Sequence, residues 1–440
     1  MTLQLPVIAS IKVLTLTLLA LIPLHAQSPS ERLSAHTDEF RKEVIKVTDG
    51  IYVAVGYALA NSILIEGDDG IIIVDVTESP ATAQEVKSAF REITDKPVKA
   101  IIYTHGHPDH VCGGKVFAGR DNPEIYAHEL VANGVNDGIQ PILSARAVRQ
   151  FGNSLPQEQF LNAGIGPSMN IVWETISPTK TFSERLETDV AGIRIILQYA
   201  PGETGDQLYV WLPDKKALLP GDNYYKAFPN LYTIRGSRYR DIRQWAQSLD
   251  KMLAEGEIEY LVPSHTRPVT GADNVKATLS NYRDAILHIY NATIKGINAG
   301  VTDIELSQQV QLPASLAKEP YLQEYYGTVP WSVRSVYSGL LGWFDGNATN
   351  LFPLSAKERA VRLAKLAGGA EKIRKIAKDV LSAGDAQWTA ELADHLLALD
   401  ENDRDAKLLK ADALTVLGEQ QISANGRNYY LTQAQELRVK

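Results

Sequence analysis

Three histidines and one aspartate fall within six positions, as His105, His107, Asp109 and His110 of the run Thr104-His-Gly-His-Pro-Asp-His-Val-Cys-Gly-Gly114. Imidazole and carboxylate donors without thiolate suit zinc, with manganese or iron as alternatives. Just upstream, Val98 to Tyr103 carries the β-branched Val98, Ile101 and Ile102 and reads as a short strand. A turn after that strand can send His105 and His107 to one side and Asp109 and His110 to the other. That arrangement suits two ions side by side. The alternative is a loop enriched in histidine by chance. The whole chain of 440 residues has nine histidines, so three in six positions fit chance poorly.

The elements that must carry this loop are legible as short β runs. Ile51–Val55, Ser62–Glu66, Ile71–Asp75, Ala100–Tyr103, Glu124–Ala127, Ile193–Tyr199, Leu208–Leu212, Ala217–Leu219 and Tyr260–Val262 are brief and mostly bounded by Gly, Pro, Asp or Asn. A helix is expected from about Pro80 to Ile93. Together they predict an α/β fold, an αββα sandwich with two sheets face to face and helices outside. Residues 27–49 are polar and are expected to wrap the surface. From 276 to 299 the apolar spacing is helical, and Ala356–Ala367, Glu371–Ser382, Ala386–Ala398 and Ala406–Leu417 follow as amphipathic segments. The last two resemble a tetratricopeptide-type helix pair. So few repeats do not stand alone, so this all-α part is expected to pack on the catalytic domain or another subunit.

Composition bounds the function. With 45% apolar and 22% charged residues the chain is an ordinary globular protein of two or three domains. A net charge of −8 and the lack of a Lys/Arg-rich run argue against nucleic acid as partner. Lys12 precedes the apolar run Val13–Pro23, and Leu24-His-Ala26 follows. The run is short for a membrane helix, which needs about 20 residues. It predicts a cleaved export signal over 1–26, leaving no stable membrane span, and a periplasmic or secreted protein. The single Cys112 excludes an internal disulfide. Expected boundaries are 1–26 for the signal, 27–275 for the catalytic domain and 276–440 for the helical domain.

The spacing His-x-His-x-Asp-His resembles the signature of the metallo-β-lactamase superfamily. Gly70–Asp75 and Asn61–Glu66 are similar to its flanking strands. Asp75 then either accepts a hydrogen bond from a ligand histidine or caps the following helix. The resemblance implies three further ligands from distant loops: Glu203 in Pro201-Gly-Glu-Thr-Gly205, Asp222 in Leu218-Leu-Pro-Gly-Asp222, and His265 in Val262-Pro-Ser-His265. Asp206 or Gln207 is the alternative to Glu203, and a helix-capping role is the alternative for Asp222. His128 is expected to be a positioned or surface histidine; His36, His288 and His395 are expected to be structural.

Most branches of the superfamily have histidine where this chain has Glu203. The alkyl sulfatase branch has glutamate there, with the bridging acid nineteen residues on, the separation of Glu203 and Asp222. Its bridging acid is usually Glu, so Asp222 is a departure. Pro229-Asn230-Leu-Tyr-Thr-Ile-Arg235-Gly236 resembles the segment in which that family holds sulfate through Asn and Arg. Gly342-Trp-Phe-Asp-Gly-Asn347, Leu366-Ala-Gly-Gly369 and Asn428–Glu436 are similar to its dimerisation domain. The resemblance runs from about 45 to 437. A C-terminal sterol-carrier-type domain common in the family has no counterpart in it, so shorter or bulkier sulfate esters are expected as substrates.

The resemblance implies a homodimeric hydrolase of alkyl or related sulfate esters with two Zn2+ ions. His105, His107 and Glu203 would hold one ion, and Asp109, His110 and His265 the other, with Asp222 between. Asp109, Asp222 and Arg235 are the expected catalytic residues, and Asn230 with Arg235 the substrate clamp. A guanidinium suits that role independently, because it forks onto two anionic oxygens and stays charged; Arg238 and Arg240 are its alternatives. The competing readings are a hydrolase of another ester, lactone, β-lactam or phosphodiester on the same scaffold, and a periplasmic interaction module with a structural metal. Cys112 is expected to be neither ligand nor nucleophile, since the ligand set is complete without it.

Overall fold

A computed structural model describes residues 27–132 and 139–439. The expected export signal at 1–26 lies outside the described residues. Among these, no helix is long and apolar enough to cross a membrane.

Seven strands form the first sheet in chain order: β1 Glu43–Thr48, β2 Ile51–Val55, β3 Ser62–Glu66, β4 Ile71–Val74, β5 Val98–Ile102, β6 Glu124–His128 and β7 Lys180–Phe182. The pairs from β1 to β4 are antiparallel and those from β4 to β7 parallel. The second sheet holds β8 Arg185–Val190, β9 Ile193–Tyr199, β10 Leu208–Leu212, β11 Ala217–Leu219, β12 Tyr260–Leu261 and β13 Val269–Thr270, in the order β13-β12-β11-β10-β9-β8.

Side chains alternate between faces every second residue, and the core divides accordingly. Ile63, Ile65, Ile72 and Val74 meet Ile195, Leu197, Leu208 and Val210 between the sheets. Leu64, Ile73 and Ile101 face the other way, onto Ala83, Val86 and Phe90 of the helix Pro80–Arg91. On the far side, Ile196, Tyr209 and Trp211 pack with Trp245 and Leu249 of the helix Ile242–Leu253 and with Leu279 and Ile286 of Ala272–Asn298. The αββα sandwich follows directly. Its inner strands are buried on both faces, which is why they read as unbroken apolar runs.

The expected division at 275/276 falls inside the continuous helix Ala272–Asn298. Five helices close the chain: Ala356–Ala367, Ala370–Ser382, Ala386–Leu399, Arg404–Glu419 and Ala424–Val439. The last packs on the helix Gln140–Phe151, where Glu436 receives a two-pronged hydrogen bond from Arg149 at 2.9 and 2.7 Å. The helical end of the chain therefore braces the sandwich. Residues 27–49 do not simply wrap the surface. Leu33, His36 and Phe40 recur at helical spacing and are buried, and His36 bonds the Gly164 carbonyl at 2.9 Å and stacks on Tyr325.

Candidate metal centre

Each chemical loop leaves the end of a strand at the same edge of the sandwich. Asp75 follows β4, the three-histidine run follows β5, Glu203 follows β9, Asp222 follows β11 and His265 follows β12. Close backbone approach fixes the histidine run. A Cβ on Gly113 would sit 1.9 Å from the Val76 carbonyl oxygen, so only glycine lets this turn press against the end of β4. There His110 O accepts from Val76 N at 3.0 Å, and Thr77 O from Gly113 N at 3.2 Å. That contact brings the His110 ring onto Asp75.

All seven expected ligands converge, in two groups: His105, His107, Glu203 and Asp222, and Asp109, His110 and His265. Asp222 reaches into both. Its Oδ2 lies 3.6 Å from His105 Nε2 and 3.4 Å from His110 Nε2, and its Oδ1 lies 3.3 Å from His265 Nε2. Asp109 Oδ2 lies 3.4 Å from His110 Nε2 and 3.5 Å from His265 Nε2, and His107 Nδ1 lies 3.6 Å from Glu203 Oε2. Donors on a tetrahedral zinc with bonds of about 2.0–2.1 Å stand roughly 3.4 Å apart. His110 Nε2, His265 Nε2 and Asp222 Oδ1 are buried without a hydrogen-bond partner. Orphaned buried donors and acceptors are rare and call for an explanation; divalent ions at these positions supply one.

The rings are held from behind. Asp75 Oδ2 accepts from His110 Nδ1 at 2.8 Å, and Asp75 also takes Thr104 N and Oγ1 at 2.9 Å and Ser264 Oγ at 2.6 Å. Ser79, not Asp75, caps the following helix, accepting from Thr82 N at 3.2 Å. His265 Nδ1 donates to Leu59 O at 2.8 Å, and His105 Nδ1 pairs with Thr104 Oγ1 at 3.0 Å. Glu203 is clamped by Arg240, whose Nη1 lies 2.9 Å from Oε1 and also bonds the Asn230 carbonyl. Arg240 thus faces a carboxylate rather than a ligand space. His128 is buried away from the site, bonded to Ser183 O at 2.8 Å and stacked on Tyr199.

Charge follows this packing. Burial alone would lower His110, but the carboxylates of Asp222, Asp109 and Asp75 outweigh it and raise its pKa well above the ordinary value. Burial would raise Asp222, but His110, His265 and His105 hold it well below the carboxylate range. Glu203 is pushed up to about 7 by burial, against the pull of Arg240. In the metal-free protein the centre is a dense set of buried, opposed charges, ready to exchange protons for cations.

Beside the ligands lies a cavity of about 80 Å³ with two kinds of wall. His107, Asp109, Glu203, Asp222 and Arg235 form one. Leu59, Ala147, Phe151, Ile165, Met169, Ile171 and Tyr326 form the other. Arg235 is half-buried; its Nη1 donates to Thr233 Oγ1 at 2.8 Å, its backbone N to Gln150 Oε1 at 2.8 Å, and its Nη2 lies 3.3 Å from His107 Nε2. Asn230 is fully buried, and neither side-chain polar atom has a partner among the described residues. The apolar wall was not identified as functional from sequence, and Arg240, expected only as an alternative to Arg235, is placed on Glu203 instead.

Cys112 sits in the apolar layer beneath β4 and β5, fully buried, with its thiol pushed up to about 11 by burial. It is a neutral core side chain. Cys112→Ala should keep the wild-type metal content and cost about 1 kcal/mol of stability for the lost buried atom. Elemental analysis and urea unfolding check this; loss of an ion would contradict it.

Comparison with known proteins agrees with this geometry. Residues 55–265 match the metallo-beta-lactamase superfamily, and residues 302–440 match the alkyl sulfatase dimerisation family. The chain is 40% identical over 390 residues to a linear primary-alkylsulfatase of Pseudomonas sp. (strain ATCC 19151), covering 86% of this chain and 74% of that protein. It is 32% identical over 411 residues to an alkyl/aryl-sulfatase of Saccharomyces cerevisiae, covering 90% of this chain and 64% of the relative. The solved structure of a stereoselective inverting sec-alkylsulfatase from Pseudomonas sp. superposes with a TM-score of 0.87 at 29% identity, over 93% of this chain and 67% of that one. The fold and site define a hydrolase of the metallo-β-lactamase superfamily. Within it, the chain belongs to the alkyl sulfatase family.

Proposed function

We propose that the protein hydrolyses alkyl or related sulfate esters at a two-zinc centre, releasing sulfate and an alcohol. His105, His107 and Glu203 would hold one ion and Asp109, His110 and His265 the other, with Asp222 in reach of both groups. Bound zinc supplies a water activated near neutral pH and positive charge facing the ester.

The observation that carries the substrate class is Arg235 against His107. A histidine bound to metal through Nδ1 keeps its proton on Nε2 and can no longer accept a hydrogen bond there. Arg235 Nη2, 3.3 Å from that Nε2, must then find another acceptor. A sulfate oxygen at the pocket provides one, and the guanidinium is already aimed by Thr233 and Gln150. The unpaired, fully buried amide of Asn230 supports the same reading. Facing this charged end, Leu59, Phe151, Ile165, Met169 and Tyr326 form a wall suited to a hydrocarbon group. Tyr326 adds a phenol that burial holds protonated. A parallel screen of a sulfate ester, a lactone, a β-lactam and a phosphodiester tests the class. Turnover of the sulfate ester alone is expected; turnover of any of the others without it would overturn the proposal.

The assembly follows from the helical end. Trp343, Phe352 and Leu366 are 76%, 95% and 86% exposed, and all lie in the segment matching the dimerisation family. Large apolar side chains so exposed, close together in sequence, suit an interface, and a second copy of the chain is the proposed occupant. The double variant Trp343→Asp, Phe352→Asp should turn a dimer into a folded monomer in light scattering. A monomeric wild type would contradict this. The apolar run Val13–Pro23 supports export, with cleavage after Ala26 readable by N-terminal sequencing of the mature protein.

A further inference from the structure

Glu78 is a carboxylate with no evident reason to be where it is. It is 2% exposed, and no cation pairs with it among the described residues. Burying an unpaired carboxylate is costly, and burial pushes the Glu78 carboxyl up to about 7. Core packing alone would be served better by an apolar side chain of the same volume. Its partners are backbone amides. Leu59 N lies 3.2 and 3.4 Å from the two carboxylate oxygens, and the amides of Asn170 and of Glu78 itself also face it.

Both outside partners belong to the pocket. Leu59 lines the cavity with its side chain, and its carbonyl accepts from His265 Nδ1 at 2.8 Å. That bond turns His265 Nε2 toward Asp222 and Asp109. Asn170 stands between Met169 and Ile171, which line the same cavity, and Val172 N donates to Glu78 O at 3.0 Å. One side chain thus ties two walls of the pocket to each other and to the back of a metal-facing ring. The segment it belongs to also supplies Asp75, which holds His110. Asp75 and Thr77 both have positive φ, 58° and 68°, a conformation that a β-branched threonine adopts only when its surroundings enforce it.

We propose that Glu78 is a positioning residue that acts through the Leu59 backbone to set the His265 ring, and hence the affinity of the group Asp109, His110 and His265 for its ion. This rests on the two-ion reading above. The group His105, His107 and Glu203 takes its support from Thr104 and Arg240 instead, so the effect is confined to one ion.

The test is a zinc titration of the metal-free full-length protein in competition with a chromophoric chelator. Wild type reads the two-ion assignment first, by taking up two equivalents, so a failure of that assignment is seen before any variant is compared. Glu78→Ala should weaken one of the two ions by about 10- to 100-fold, the range for removing an outer partner of a ligand. The other ion should bind as in wild type. Glu78→Gln keeps an acceptor for the Leu59 amide and should recover most of the loss, whereas Glu78→Met, of similar volume but without an acceptor oxygen, should not, a difference that a mere packing role would not predict. If Glu78→Ala does not fold, Glu78→Asp decides: its shorter reach should weaken the same single ion. Wild-type affinity for both ions in Glu78→Ala or, where that does not fold, in Glu78→Asp, or equal weakening of both ions, would overturn the proposal.

Discussion

Replacing Arg235 by alanine is expected to lower kcat/KM for sulfate esters by about 30- to several-thousand-fold and leave the metal content unchanged. The magnitude follows from losing a desolvated charge-assisted pair, about 2–5 kcal/mol. Arg235 touches His107 only through the ring nitrogen that faces away from the other ligands, so its removal spares metal binding. Arg235→Lys should recover part of the loss, because an ammonium replaces the charge but not the fork. Lysine would also lose the guanidinium bond to Thr233 Oγ1 that aims the side chain. Steady-state kinetics with parallel elemental analysis checks the pair. An Arg235→Ala protein with wild-type sulfatase turnover would remove sulfate recognition from this residue.

Asp222→Asn should be at least as damaging, by another route. The Asp222 carboxylate lies within 3.3 to 3.6 Å of three imidazole nitrogens, from His105, His110 and His265. Among the described residues, no other carboxylate lies this close to imidazole nitrogens of both groups. The amide keeps the shape and removes the charge, so on the two-ion reading the ions would lose their shared anionic donor. Metal-ion catalysis contributes several kcal/mol, so activity should fall on the order of 1,000-fold or more. Bound metal should drop below two equivalents after dialysis. Two retained ions with wild-type activity would show that Asp222 is not shared between them.

The sheets were legible wherever strands are buried on both faces. The four strands that escaped the sequence reading, β1, β7, β8 and β13, are the four sheet edges. Edge strands carry charge, as β1 and β8 do, or are short, as β7 and β13 are, which keeps them from pairing with other chains. In β8, Arg-Leu-Glu-Thr-Asp-Val leaves alternate residues exposed, and no apolar run marks it. The histidine run was legible as a candidate because metal chemistry restricts the residue types, while Glu203, Asp222 and His265 were expected from the family resemblance; the fold brings all seven together. The pocket wall was not legible. Phe151, the neighbouring loop residues Ile165 and Met169, and Tyr326 come from three distant segments with no common pattern, and packing alone brings them together. Arg240 shows the limit at single residues: from spacing it was interchangeable with Arg235, and only the fold turns it onto Glu203.

Sulfate release, followed as zinc is added back to the metal-free protein, tests the central claim most directly. The two-group site predicts no turnover of a short alkyl sulfate without metal and a rise that levels off at two equivalents per chain. Full activity at one equivalent, activity without metal, or no sulfate released at any zinc level would contradict it.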